Sequence, residues 1–209
     1  MYKRVKERFQ NLYNLIKNFL NYLKNMSKWV IINLGFVALG NYLRKGDDSM
    51  YDVLDVCRYV INYSNDKEYG VSNLKLQKLL YFIQAYFLIS KPNSKCFGEK
   101  IEAWDFGPVI PCAYHEYKQY GSRNIPYIST YYKFDKTNIW NTERVLFDSS
   151  IIAQKDKELI NEVVDTFSSY SATDLITLTH NQSPWIDAYE PGMNNEITTD
   201  AIKEYFLNE

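Results

Sequence analysis

Apolar residues return at intervals of three and four along most of this chain, which is the helical period. Val53, Val56, Cys57, Val60 and Ile61 make one stripe of a helix expected from about Tyr51 to Tyr63, ended by Ser64-Asn65-Asp66. Ser72 or Asn73 can cap a second helix by accepting a backbone N–H. Its stripe is Leu76, Leu79, Leu80, Ile83 and Phe87, while Tyr81, Phe82, Tyr86, Leu88 and Ile89 add apolar surface on other faces. A helix that is apolar nearly all round belongs in the middle of a core. Pro92 stops it soon after Ser90.

The period then breaks. Phe97, Ile101 and Ala103 alternate with Lys100 and Glu102, as a short strand would. Gly107-Pro108 forces a turn, and Pro111 suits the first turn of a further helix that carries Tyr114, Tyr117 and Lys118 and ends at Gly121. Residues 122–150 are Tyr-rich and of mixed period, with Tyr127, Ser129 and Tyr131, or Val145 and Phe147, as candidate strands. Leu159, Ile160, Val163, Val164 and Phe167 mark another amphipathic helix. Ser171 and Asp174 have capping-box spacing for the next one, which carries Leu175, Ile176 and Leu178 up to His180. Pro184-Trp185 opens a short turn or helix. Thr198 or Thr199 caps a last helix with Ile202, Tyr205 and Phe206 inward. The pattern predicts a mainly α, compact multi-helix domain with a small β element. Eight Gly and six Pro in 209 residues agree, because a many-turned β-sandwich would need more of both. Three cysteines without a CxxC pair exclude a disulfide framework as the scaffold.

Charge divides the chain. Residues 1–46 hold nine Lys/Arg and one acid, net +8, against −9 for the remainder. In the first segment Val5, Phe9, Leu12, Ile16, Leu20 and Leu23 are helically spaced opposite a basic face. Trp29 to Leu39 is apolar but roughly half the ~20 residues that a membrane span requires. Two readings of this extension stand side by side. One is a basic amphipathic helix on an anionic membrane surface, using residues 1–45 as its anchor. The other is that translation begins naturally at Met50. Residues 45–50 can be encoded as AAA GGA GAT GAT AGT ATG, a ribosome-binding sequence before a start codon. Residues 1–49 are therefore read as an N-terminal extension and residues 50–209 as the domain proper.

Little in the domain suggests reaction chemistry. Its two histidines, His115 and His180, lie far apart in sequence, and no HExxH, GxSxG or Gly-rich phosphate loop occurs. No pair of ligands is spaced for zinc. The expectation is no enzyme, no metal and no cofactor, with a hydrolase around His180 as the least favoured alternative. A −9 segment repels nucleic acid unless its cations cluster, and Lys75 with Lys78, or Lys155 with Lys157, read as solvated helix faces. Protein binding is what an acidic domain rich in Tyr and Trp suits, with charge steering the encounter and aromatics anchoring it. Asp47, Asp48, Asp187 and Glu190 are candidate steering acids.

Three motifs in order carry a more specific signal. They are Leu74-Lys75-Leu76-Gln77-Lys78-Leu79-Leu80-Tyr81-Phe82; Glu102-Ala103-Trp104-Asp105-Phe106-Gly107-Pro108-Val109-Ile110-Pro111, continuing to Tyr114 and Tyr117; and Thr179-His180 followed by Pro184-Trp185 and Ala188. Together they resemble the Panacea antitoxin family of SocA-like antitoxins and related phage-associated proteins, over about residues 51 to 188. The resemblance implies a cytoplasmic antitoxin that neutralises a cognate protein toxin by direct contact, and that in some members also hands the toxin to a Clp-type protease. It implies no catalytic residues. The alternative of another class is a phage protein held at a membrane by the basic extension. On the family pattern Trp104 fills a core slot, Gly107-Pro108 sets a turn and His180 holds a backbone group by hydrogen bond.

Overall fold

The computed structural model describes residues 50–91, 94–134 and 142–208. The expectations for residues 1–49, both the amphipathic helix and the start at Met50, lie outside the described residues.

Asp52 begins α1 (Val53–Asp66) by accepting the Leu54 amide, and Ser72 begins α2 (Asn73–Ser90) by accepting that of Lys75. Fifteen of the eighteen residues of α2 are buried, so it is the hub of the domain rather than one wall of it. After it come β1 (Ile101–Trp104), β2 (Gly107–Val109) and α3 (Pro111–Tyr117), which runs into a short 3-10 turn, Lys118–Tyr120. A separate hairpin follows, β3 (Thr130–Phe134) and β4 (Thr142–Leu146). The chain then returns to helix in α4 (Gln154–Thr166), α5 (Ala172–His180) and α6 (Ser183–Ala188). It closes with β5 (Glu196–Ile197) and α7 (Thr199–Asn208). The capping box read at Ser171 and Asp174 is present, with each side chain on the other residue's backbone N–H.

Helices α1, α3, α4, α5 and α7 all pack on α2. The small sheet, in the order β2-β1-β5 and antiparallel throughout, lies beside it, with Trp104 opposite Gly107 across a two-residue turn. Aromatic stacking fills the far side: the Phe82 and Phe167 rings lie 4.3 Å apart, and Phe206 from α7 meets Phe82 edge-on. The β3–β4 hairpin stands off this core. It is pinned at its root by Asn62, whose side chain both donates to the Ile128 carbonyl and accepts from the Ile128 amide. The Arg58 guanidinium then lies 3.6 Å over the Tyr131 ring.

Together the described residues form a closed apolar core from Val53 to Ile202. We expect a chain starting at Met50 to unfold cooperatively, with a midpoint close to that of the full chain. Thermal unfolding of both forms followed by circular dichroism tests this; loss of the cooperative transition in the shorter chain would show that residues 1–49 complete the core.

Candidate functional site

The polar residues of α2 organise the motif regions. Asn73, Gln77, Tyr81 and Gln84 follow one another at four, four and three residues, and so line one side of the helix. Each is buried in a largely apolar surrounding, and Gln77 and Gln84 grip irregular stretches of chain. The Gln77 Oε1 accepts from the Ile110 amide at 3.0 Å, while its Nε2 donates to Asn73, whose own amide donates to the Tyr114 carbonyl. The Gln84 side chain donates to the Phe97 carbonyl and accepts from the Cys96 and Phe97 amides. Tyr81 donates to Gln182 Oε1 at 2.8 Å, tying the end of α5 to the hub. Buried peptide groups outside regular structure must find partners, and these side chains supply them. Gln77 was legible as a motif residue. The roles of Asn73, Tyr81, Gln84 and Gln182 were not, although a line of polar residues inside an apolar helix is the signal that could have exposed them.

Lys75 and Lys78, expected on solvated faces, are buried at 8% and 0% exposure. The helix has no solvated face at that level, and each ammonium instead reaches a main-chain carbonyl. Lys75 donates to Ser168 O and Lys78 to Pro108 O, both at 2.8 Å. Burial without a carboxylate lowers the Lys78 ammonium to about 7. A neutral amine near pH 7 is nucleophilic, but this one is sealed under Gly107 and Thr179, out of reach of any substrate.

Around Lys78 the three motifs meet. Gly107, with φ of +93°, passes so close that a Cβ there would lie 2.7 Å from Thr179 Oγ1 and 3.0 Å from Lys78 Nζ. Thr179 is fully buried and turns its hydroxyl back to the Leu175 and Ile176 carbonyls of its own helix. The His180 ring stacks on Trp185 at 3.9 Å and 11°, and Trp185 stacks in turn on Tyr189 at 4.5 Å. Burial and the Lys78 charge lower the His180 imidazole, and a main-chain hydrogen bond at Asp105 works against them. Among the described residues its buried Nε2 has no partner. Pro184 is buried at the start of α6, and Pro111 likewise starts α3. Leu76 and Leu79 face the core.

Trp104 is where the expectation fails. Along β1, Ile101 and Ala103 point inward, so the alternation turns Glu102 and Trp104 outward. Trp104 is half-buried, donates its indole N–H to Glu102 at 2.8 Å and meets Tyr114 edge-on. The tryptophan that fills the core slot is Trp185, which is 9% exposed and donates its indole N–H to the Trp104 carbonyl at 3.0 Å. Tyr114 is half-buried, whereas Tyr117 is buried.

The motif residues thus converge, but as a knot of packing and main-chain hydrogen bonds. Among the described residues no group of three or more His, Cys, Asp or Glu could hold a metal, and no helix is long and apolar enough to cross a membrane.

The buried ionisable groups give a signature in pH. Lys78 titrates near 7 in the folded protein and near its ordinary 10.5 when unfolded, so the unfolded chain binds the extra proton between those values. Stability should therefore rise with pH above 7, by up to about 1.4 kcal/mol per unit. Buried Cys57 and Cys96 act oppositely, because burial raises both thiols above their ordinary 9 and the unfolded chain ionises first. Stability should peak between about pH 8 and 9. Urea unfolding across this range should show the peak in the native protein, and Lys78→Met should flatten the rising limb to the part that buried Lys75 contributes. A native profile flat from pH 7 to 8.5 would mean that Lys78 is solvated.

Comparisons with known proteins place the chain in a family. Residues 76–186 match the family model for the antitoxin SocA-like Panacea domain. Antitoxin SocA of Caulobacter vibrioides (strain NA1000 / CB15N) is 31% identical over 155 residues, which is 71% of this chain and 76% of that protein. No solved structure matches. The matched span runs from α2 to α6 and so holds most of the knot around Lys78, and the chain belongs to the SocA-like Panacea antitoxin domain family.

Proposed function

We propose that this protein is the antitoxin of a toxin–antitoxin pair and neutralises its toxin by direct protein contact, in the cytoplasm and without chemistry of its own. The observation that carries the reading is the similarity to antitoxin SocA over 71% of the chain. The use made of the motif residues supports it. Their polar atoms bind the protein's own main chain, and the Lys78 amine, lowered by burial, is sealed from substrate. The domain as proposed is residues 50–209.

The test is growth rescue. The reading frame adjoining this gene is expressed from one inducible promoter in a bacterial host, and this protein from another. Arrest by the neighbour, relieved by this protein, is the expected result; a harmless neighbour, or arrest that persists, would overturn it. Delivery of the toxin to a Clp-type protease is the finer form of the same reading. It predicts that rescue fails in a host lacking that protease, whereas neutralisation by binding predicts that rescue survives there.

A further inference from the structure

We propose that the face formed by the β1–β2 turn and the α6–β5 connection is the docking surface for the toxin, and that it receives a basic face of that partner. The inference rests on the antitoxin reading above.

Three large apolar side chains are exposed here: Phe106 at 64%, Ile186 at 51% and Met193 at 52%. Phe106 occupies the second position of the two-residue turn between Trp104 and Gly107. The conformation of that turn is provided by Gly107, and nothing in it requires an aromatic residue at 106. The face is held rigid from beneath. Trp185 donates to the Trp104 carbonyl, Tyr189 donates to the Asp105 carboxylate at 3.1 Å, and the Ala103 amide donates to the Asn195 carbonyl at 2.9 Å. The Asn195 side chain in turn donates to the Ala188 carbonyl. A rigid platform loses little side-chain and loop freedom on binding, which leaves more of the contact energy as affinity.

Its charge names the occupant. Residues 101–117 and 181–202 together carry seven acids and no Lys or Arg. Glu196 is paired with Lys100 at 2.9 Å, but Asp105, Asp187 and Glu190 lie exposed with no ion pair among the described residues. Apolar knobs set among unpaired acids fit a partner surface that is basic around an apolar pocket. A second copy of this chain would set acids against acids.

The face separates the two rates of binding. Apolar anchors govern mainly dissociation, and exposed charges govern mainly association, with screening over about 8 Å at physiological salt. The probe is the product of the adjoining reading frame, in an inactive form, against the full chain by surface plasmon resonance over a salt series. Phe106→Ser with Ile186→Ser should speed dissociation about tenfold or more. Asp187→Lys with Glu190→Lys should slow association and flatten its salt dependence. Tyr132→Ser with Leu146→Ser, on the equally exposed β3–β4 hairpin, should change neither. All three are surface changes, and equal melting temperatures confirm that the fold is kept. Native rates in both face variants, or loss of binding in the hairpin variant, would overturn the assignment while leaving the antitoxin reading intact. A chain beginning at Met50 that binds about tenfold more tightly than the full chain would also overturn it, because the basic extension would then be the occupant. No binding by the native chain would remove both readings.

Discussion

Trp185→Ala should lower the thermal unfolding midpoint by about 10 °C. The indole is 9% exposed, stacks on His180 and Tyr189, and donates to the Trp104 carbonyl. Its truncation leaves a cavity between α5 and β1 and an orphaned carbonyl; for a buried tryptophan the cost is about 3–5 kcal/mol. That is a large part of the margin of a domain whose stability is of the order of 5–15 kcal/mol. Trp185→Phe keeps an aromatic ring but not the N–H, and should cost about 1–2 kcal/mol. Trp104→Ala should cost less than Trp185→Ala, about 1–2 kcal/mol, because Trp104 is half-buried and its N–H serves only the neighbouring Glu102. Urea unfolding of the three variants checks the order. Equal losses at positions 104 and 185 would show that the two indoles share the core slot.

Gly107→Ala should be nearly as damaging, for a different reason. Two penalties act at one position. At φ of +93° the backbone is outside the region open to alanine, a strain of about 1–3 kcal/mol. The new methyl would also press on Thr179 Oγ1, which is fixed to its own helix, and on the buried end of Lys78. Overpacking of this kind costs about 1–3 kcal/mol more. The variant should lose about 2–6 kcal/mol in urea unfolding. Gly192→Ala is the matched control. Its φ is also positive, at +79°, but a Cβ there meets nothing within 4 Å, so it carries the strain alone. If both substitutions cost the same, strain alone sets the loss and the methyl at 107 meets no fixed neighbour.

How much of this molecule was legible in its sequence differs from element to element. Local chemistry settled α2, the Ser171–Asp174 capping box and Pro111 at the start of α3; it left the α2 cap between Ser72 and Asn73, and Gly107-Pro108, read as a turn, instead open β2 just after the Asp105-Phe106 turn. In each settled case, the deciding interaction lies within about four residues of chain or in one residue's own dihedral angles. The family, too, was carried by motifs in chain order. What the sequence could not decide depended on partners distant in the chain. Tyr131 and Val145 alternate with their neighbours as strand residues should, but only the pairing of Tyr131 with Val145 makes a hairpin of them. Lys78 looks like a surface lysine until tertiary packing buries it and sets its ammonium on the Pro108 carbonyl. Trp104 and Trp185 are equally apolar as letters. The pleat of β1 turns the first outward, and the packing of α6 on the sheet draws the second in. The exposed Phe106 and Asp105 stand far in sequence from Asp187 and Glu190, and tertiary hydrogen bonds from Trp185 and Tyr189 tie the two segments together. Helical period and caps are written in neighbours; burial, charge state and shared surfaces arise only when distant segments exclude water together.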